Sequence, residues 1–195
     1  MVDVYLAGVG GQGIITAARI IGDAAVSEGR KVLLSETHGM AQRGGSVFCT
    51  ARIGPVESPL IADGEADAIL SLELLETLKA IRKASKKTVV IASTERIIPL
   101  SVSTQKMRYP SLEEVASQMR EVSSKFVPLD ARRLAEEAGV PMSSNIVMIG
   151  ALAGSGITGL KRGSYEAAVG ANIRVSREAN LDAFSKGFDT ARADP

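Results

Sequence analysis

Gly8, Gly10 and Gly13 fall at the spacing G-x-G-x-x-G within Gly8-Val9-Gly10-Gly11-Gln12-Gly13, directly after an apolar run and ahead of a helical pattern. In that setting backbone amides and a helix N-terminus can cradle an anion, so a phosphate is the first ligand to consider. A dinucleotide would also want an acid about 20 residues on to hold its ribose, and Glu36 stands near that place. The same glycines serve chain reversal and close packing whether or not a ligand arrives. Gly11 beside Gly10, and Gln12 before Gly13, loosen the dinucleotide match.

A second cluster follows. Thr37-His38-Gly39-Met40-Ala41-Gln42-Arg43-Gly44-Gly45 gathers the one His of the chain, a Gln, an Arg and three glycines. It comes after a predicted strand, at the carboxyl edge where open α/β sheets collect ligands. Dense hydrogen-bonding groups with flexible backbone between them suit a binding or docking edge, an ordinary exposed turn being the alternative. His38 is the one candidate for proton transfer, with an unperturbed pKa near 6.5, yet no triad partner adjoins it. A metal there would need about three or four ligands, and only Glu36 is close in sequence. The planar fork of Arg43 suits a phosphate, a carboxylate or an acid on a partner subunit. Cys49 lies mid-strand, as a buried inert thiol would, and one thiolate cannot hold a cluster that needs about four.

These clusters need elements to hold them. Val2 to Ala7 reads as a buried strand and Gln12 to Glu28 as a helix with Thr16, Arg19, Asp23 and Ser27 on its wet stripe. Apolar residues, Ile14, Ile15, Ile20 and Ile21 among them, occupy the rest of its circumference and predict packing on more than one side. Lys31 to Ser35 completes a strand, helix, strand unit of the right length for a parallel crossover. Further strands are predicted over Ser46 to Ile53, Ala66 to Leu72, Thr88 to Ala92 and Lys125 to Leu129. Helices are predicted over Glu73 to Lys83, over Ser111 to Arg120 with Ser111 and Glu114 at capping-box spacing, and after Asp130 up to Gly139. Gly54 to Gly64 reads as an ordered loop, and Ile97 to Tyr109 as extended and irregular. Asn145 to Leu152 is apolar all round, with Gly150 and Gly154 permitting close backbone approach, and Ser176 to Arg192 is amphipathic, giving a buried helix and a covering helix. The alternation of strands and helices is that of an α/β protein.

Composition narrows the function classes. The chain has 195 residues with 45% hydrophobic content, which suits a single domain over residues 1–195. Lys plus Arg number 23 against 22 Asp plus Glu, a net charge of +1 that draws neither nucleic acid nor anionic lipid. No run approaches the roughly 18 apolar residues of a membrane span, and the N-terminus lacks a basic, then apolar, leader pattern. A cytoplasmic protein with no nucleic-acid or membrane partner is the expectation.

Gly8-Val9-Gly10-Gly11-Gln12-Gly13 with Thr16-Ala17 resembles the opening motif of the γ-type subunit family of 2-oxoacid:ferredoxin oxidoreductases. Glu36-Thr37-His38-Gly39-Met40-Ala41-Gln42-Arg43-Gly44-Gly45-Ser46-Val47 looks like the version found in the small (β) subunit of the indolepyruvate branch. Ser58-Pro59-Leu60-Ile61, Gly64-Glu65-Ala66-Asp67, Tyr109-Pro110, Asn145 with Gly150, and Asn180 with Ala183-Phe184 and Gly187 extend the likeness along the chain. Leu74 departs from it, standing where a proline is usual, and Ser101 to Arg108 has no counterpart.

The resemblance implies a three-layer α/β fold around a mixed central sheet with a Rossmann-like first βαβ unit. It also implies a large catalytic (α) partner subunit that carries thiamine diphosphate, Mg²⁺ and 4Fe-4S clusters. Such a complex oxidatively decarboxylates an aryl 2-oxoacid to an acyl-CoA, with coenzyme A as co-substrate and ferredoxin as electron acceptor. This chain would complete that enzyme while holding no metal, cluster or thiamine itself. Gly8, Gly10, Gly11, Gln12 and Gly13, with Thr37, His38, Gly39, Met40, Gln42, Arg43 and Gly45, would face the partner or a cofactor. Gly10, Gly11 and Gly13 would set the turn and offer amides, Gln12 and Gln42 would hydrogen-bond a partner or ligand, and Arg43 would supply the fixed charge. The competing readings are a γ subunit of a pyruvate-type or other 2-oxoacid enzyme, a self-sufficient NAD(P)-dependent dehydrogenase using Glu36, and a regulatory nucleotide-binding module.

Overall fold

The computed structural model describes residues 1–36, 44–98 and 108–193. Six strands form one sheet: β1 (Val2–Val9), β2 (Val32–Glu36), β3 (Ser46–Ile53), β4 (Ala68–Ser71), β5 (Val89–Ser93) and β6 (Lys125–Leu129), in the order β2-β3-β1-β4-β5-β6. β1, β4, β5 and β6 are parallel, and β3 runs antiparallel to both of its neighbours, β1 and β2. The sheet is therefore mixed, as the resemblance implies. The first strand, helix, strand unit differs from a simple crossover in one respect. β1 and β2 do run parallel, but β3 lies between them and takes the hydrogen bonds that the two would have shared.

Helices cover both faces. On one side lie α1 (Ile14–Ser27), α4 (Ala131–Glu137), α5 (Ser144–Gly154), α6 (Arg162–Asn172) and α7 (Arg177–Ala193), around a core that includes Leu6, Ile20, Ile21, Leu70, Ile91 and Phe184. On the other lie α2 (Leu74–Lys79), which passes into a 3₁₀ turn over Ala80–Lys83, and α3 (Leu112–Val122), around Tyr5, Ile69, Leu74, Val90 and Met119. Three layers result. Ser111 and Glu114 form the expected capping box on α3, and the Asp130 side chain caps α4 through the Arg133 amide. α1 packs on the sheet and on α6, while Ile15 and Val26 turn outward, so its apolar cover is less complete than the pattern predicts.

The two faces of β3 meet different surroundings, as its alternation predicts. Cys49, Ala51 and Ile53 are buried in the larger core. On the opposite face Thr50 donates to the Pro59 carbonyl at 2.6 Å, and Arg52 forks onto Asp3 with two bonds of 2.9 Å while also donating to Ser58 and Leu60 carbonyls. Those bonds order the loop between Gly54 and Gly64.

α5 is buried from Asn145 to Ala153, and α7 lies across it. Gly150 faces the Phe184 carbonyl, Gly154 that of Phe188, and Gly187 that of Val147, each with no room for a Cβ. The two backbones touch because these side chains are absent. α6 carries no prediction from sequence. Its buried residues are only Tyr165, Ala168 and Val169, and Gly163 and Gly170 dilute its helical pattern. Residues 99–107 of the segment expected to be extended, Ile97 to Tyr109, lie outside the described residues.

Candidate functional site at the carboxyl edge of the sheet

The chain leaves β1 for α1 on one face of the sheet and leaves β4 for α2 on the other. β1 and β4 are adjacent and parallel, so the crevice beyond their carboxyl ends is a topological switch point, the place where α/β sheets take ligands. The glycine turn lies there, between the end of β1 and the start of α1.

Gln12 fills the crevice with its own side chain. Its Oε1 accepts from the Val9 amide at 2.8 Å, and its Nε2 donates to the Leu72 carbonyl at 2.8 Å and to Glu95 Oε2 at 3.2 Å. One amide group thus ties the last residue of β1 to residues that follow β4 and β5. Both of its donors are used, so Gln12 knits the edge together and is not free to bind a ligand. Gly13 caps α1 in the left-handed region, at φ +77°, and its carbonyl accepts from Asn145 Nδ2 at 3.3 Å. A Cβ at Gly13 would stand 2.5 Å from that same nitrogen, so both conformation and space demand glycine.

The base of the 37–45 segment is tied to the same turn. The Gly10 amide donates to the Gly45 carbonyl at 2.8 Å, and the Gly44 amide to the Gly10 carbonyl at 3.3 Å, continuing the pairing of β1 with β3. Gly10 thus sets the turn without offering its amide. Among the described residues the start of α1 has no side-chain cap and no acid in its first turn, and nothing lies within 4 Å of where a Gly11 Cβ would be. Thr37, His38, Gly39, Met40, Gln42 and Arg43 lie outside the described residues, with only Glu36 and Gly44 placed at the stems. Among the described residues no three His, Cys, Asp or Glu side chains gather as a metal-binding set.

The dinucleotide geometry is not reproduced. A ribose-binding acid belongs at the tip of the parallel strand beside the glycine turn. Here β3 occupies that position, and Glu36 ends β2, two strand spacings or roughly 10 Å away. The Val9 and Gly10 amides, which would face a pyrophosphate, are bonded within the chain.

Two acids complete the edge, and sequence reading does not find them. Glu73, almost wholly buried, follows β4 and caps α2 by accepting from the Glu76 amide at 2.9 Å. Its other oxygen accepts from the Ile97 amide at 3.1 Å and from the Tyr109 hydroxyl, which in turn accepts from the Leu75 amide at 3.2 Å. Burial and the adjoining Glu73 carboxyl push the Tyr109 pKa well above the usual phenol value, so the hydroxyl stays a donor. Glu95 follows β5, half-buried beside Gln12. Burial raises its pKa and the negative fields of Glu73 and Asp130 add to the rise, against the Gln12 amide and Arg132.

A raised carboxyl pKa means that the fold favours protonated Glu95. Its contribution to stability is fully present below the unfolded value of about 4.3 and is lost as pH rises through the folded value. Thermal unfolding of the isolated chain at a series of pH values should show Glu95→Gln removing part of that loss, with Tm near neutrality at or above that of the parent. A fall in Tm across the whole range would contradict this assignment.

The family described as pyruvate ferredoxin/flavodoxin oxidoreductase matches residues 3–190. An indolepyruvate oxidoreductase subunit IorB from Methanothermobacter thermautotrophicus is 41% identical over 191 residues, 97% of each chain. The IorB of Archaeoglobus fulgidus is 43% identical over 152 residues, 78% of this chain and 76% of that one. Among solved structures, the γ subunit of a keto/oxoacid ferredoxin oxidoreductase from Geobacter sulfurreducens superposes with a TM-score of 0.71 at 23% identity, covering 99% of both chains. That likeness extends the three-layer fold with its mixed sheet to a solved relative.

Proposed function

Since the chain belongs to the pyruvate ferredoxin/flavodoxin oxidoreductase family, we propose that it is the small subunit of a 2-oxoacid:ferredoxin oxidoreductase of the indolepyruvate type. The observation that carries this reading is the 41% identity to an indolepyruvate subunit across 97% of both chains. The enzyme decarboxylates an aryl 2-oxoacid oxidatively, transfers the acyl group to coenzyme A and reduces ferredoxin. Thiamine diphosphate, Mg²⁺ and the 4Fe-4S clusters belong to a larger subunit. This chain's single cysteine, buried in β3, does not supply a cluster's ligands.

The carboxyl edge is the face turned to that larger subunit. The start of α1, which no described side chain caps, presents amides that suit a carboxylate or phosphate from the opposing surface or its cofactors. The same edge holds the stems of the segment that contains His38, Gln42 and Arg43, where Gly44 and Gly45 are hydrogen-bonded to Gly10 of the glycine turn. The chain's part is to complete the enzyme, and the complex works in the cytoplasm.

Co-expression tests the reading. The isolated chain is expected to be colourless and inactive, and anaerobic co-expression with the larger subunit should give a brown complex that reduces a viologen dye with indolepyruvate and coenzyme A. A preference of the complex for pyruvate would move the chain to another branch of the family. Micromolar binding of a nicotinamide nucleotide with hydride transfer by the chain alone would overturn the subunit reading.

A further inference from the structure

Among the described residues, only one oxygen of the Glu95 carboxyl group meets a hydrogen-bond donor. Its backbone is fixed on both sides, the amide donating to Ser93 Oγ at 3.2 Å and the carbonyl accepting from the Leu74 amide at 3.0 Å. Gln12 holds one carboxyl oxygen at 3.2 Å; the other accepts from no described residue, and Glu95 is only partly buried. The field of Arg132 reaches Glu95, but no ion pair joins the two. Arg132 donates through Nε to Glu136 at 3.1 Å, and the Arg96 guanidinium lies over the Tyr109 ring at 5.9 Å. Among the described residues, an acid is thus pinned at the switch point, partly stripped of water and hydrogen-bonded through its carboxyl group only to a neutral amide.

We propose that Glu95 is the acidic anchor of this edge, receiving a guanidinium or ammonium group from the larger subunit. The inference rests on the reading that the edge faces that subunit. It makes the surface two-signed, with amide donors at the start of α1 and an acceptor beside it, so an occupant must carry both charges in register. An ion pair made here differs from one on an open surface. Part of the carboxylate's desolvation is already in place, and Gln12 restricts its rotamers, so less entropy is lost on pairing.

Purified wild-type and Glu95→Gln chains would be titrated against the larger subunit between low and high salt, with Glu57→Gln, an exposed acid beyond the other end of β3, as the control. Glu95→Gln is expected to weaken binding about tenfold or more at low salt and to flatten the salt dependence, while Glu57→Gln binds like the parent. Thermal unfolding of each chain confirms that the comparison is between folded proteins. Hydrogen exchange of residues 13–16, the amides at the start of α1, during assembly separates the two ideas. If those amides gain protection but Glu95→Gln binds with wild-type affinity and salt slope, the anchor is refuted and the docking edge stands. If they gain none, the edge and the anchor both fall.

Discussion

Gly187→Ala is expected to destabilise the chain by roughly 3–5 kcal/mol, more than most single-methyl additions. The added Cβ would meet the Val147 carbonyl and crowd the Ala151 amide, both backbone atoms held inside α5. A flexible side chain could turn aside; two helical backbones in contact can separate only by moving α7 off α5. That movement would uncover Phe184, which is fully buried, and leave voids around Tyr165. Urea denaturation of the parent and variant gives the difference directly, and failure of the variant to express folded would be the extreme of the same result. The comparison is Gly163→Ala, near the start of α6, where a Cβ meets nothing within 4 Å. That change should leave stability unchanged or raise it by up to about 1 kcal/mol. A Gly187→Ala variant as stable as the parent would mean that the α5–α7 crossing is looser than described.

Glu73→Ala should cost a similar amount, roughly 3–4 kcal/mol, because one carboxyl group serves three donors. Without it the Glu76 amide loses its cap, and the Ile97 amide and Tyr109 hydroxyl lose their acceptor next to a buried surface. Tyr109→Phe removes only one of these bonds and should cost about 1–2 kcal/mol. The double variant should therefore lose less than the sum of the two, since the shared bond is counted in each. Strict additivity would show that Tyr109 and Glu73 do not act together. Hydrogen exchange offers a local check, with the Ile97 amide exchanging far faster in Glu73→Ala than amides in the middle of β5.

The residues that were legible from sequence are those whose signal is local. Ser46 to Ile53 and Lys125 to Leu129 appear as strands at the bounds their patterns predict, and Ser111 with Glu114 forms its box, because alternation and capping are decided within a few residues. The buried α5 was equally readable, since a run that is apolar all round leaves it no wet face. What sequence did not convey was pairing. Nothing in β1, β2 or β3 states that the third strand enters between the first two, and that insertion is what displaces Glu36 from a ribose-binding position. The candidate site shows the same division. The glycine turn was visible as a turn, whereas one partner that Gln12 reaches is 83 residues away and two of the three contacts of Glu73 lie 24 and 36 residues along. Contacts at such distances are set by topology and leave no periodic trace.

β3 also shapes how the chain reaches this structure. The β2–β3 hairpin spans a short stretch of chain, but Val2 pairs with Ile53, so seating the hairpin beside β1 is a long-range closure. On its other side β1 waits for β4, an equally non-local partner. The strand at the centre of the sheet, with Val4 and Leu6 fully buried at the end, is thus the one that has both edges open while the chain folds. Folding speed should then be limited by closure around β1, and crowding or slow synthesis of the downstream strands would expose the segment most inclined to pair with another molecule.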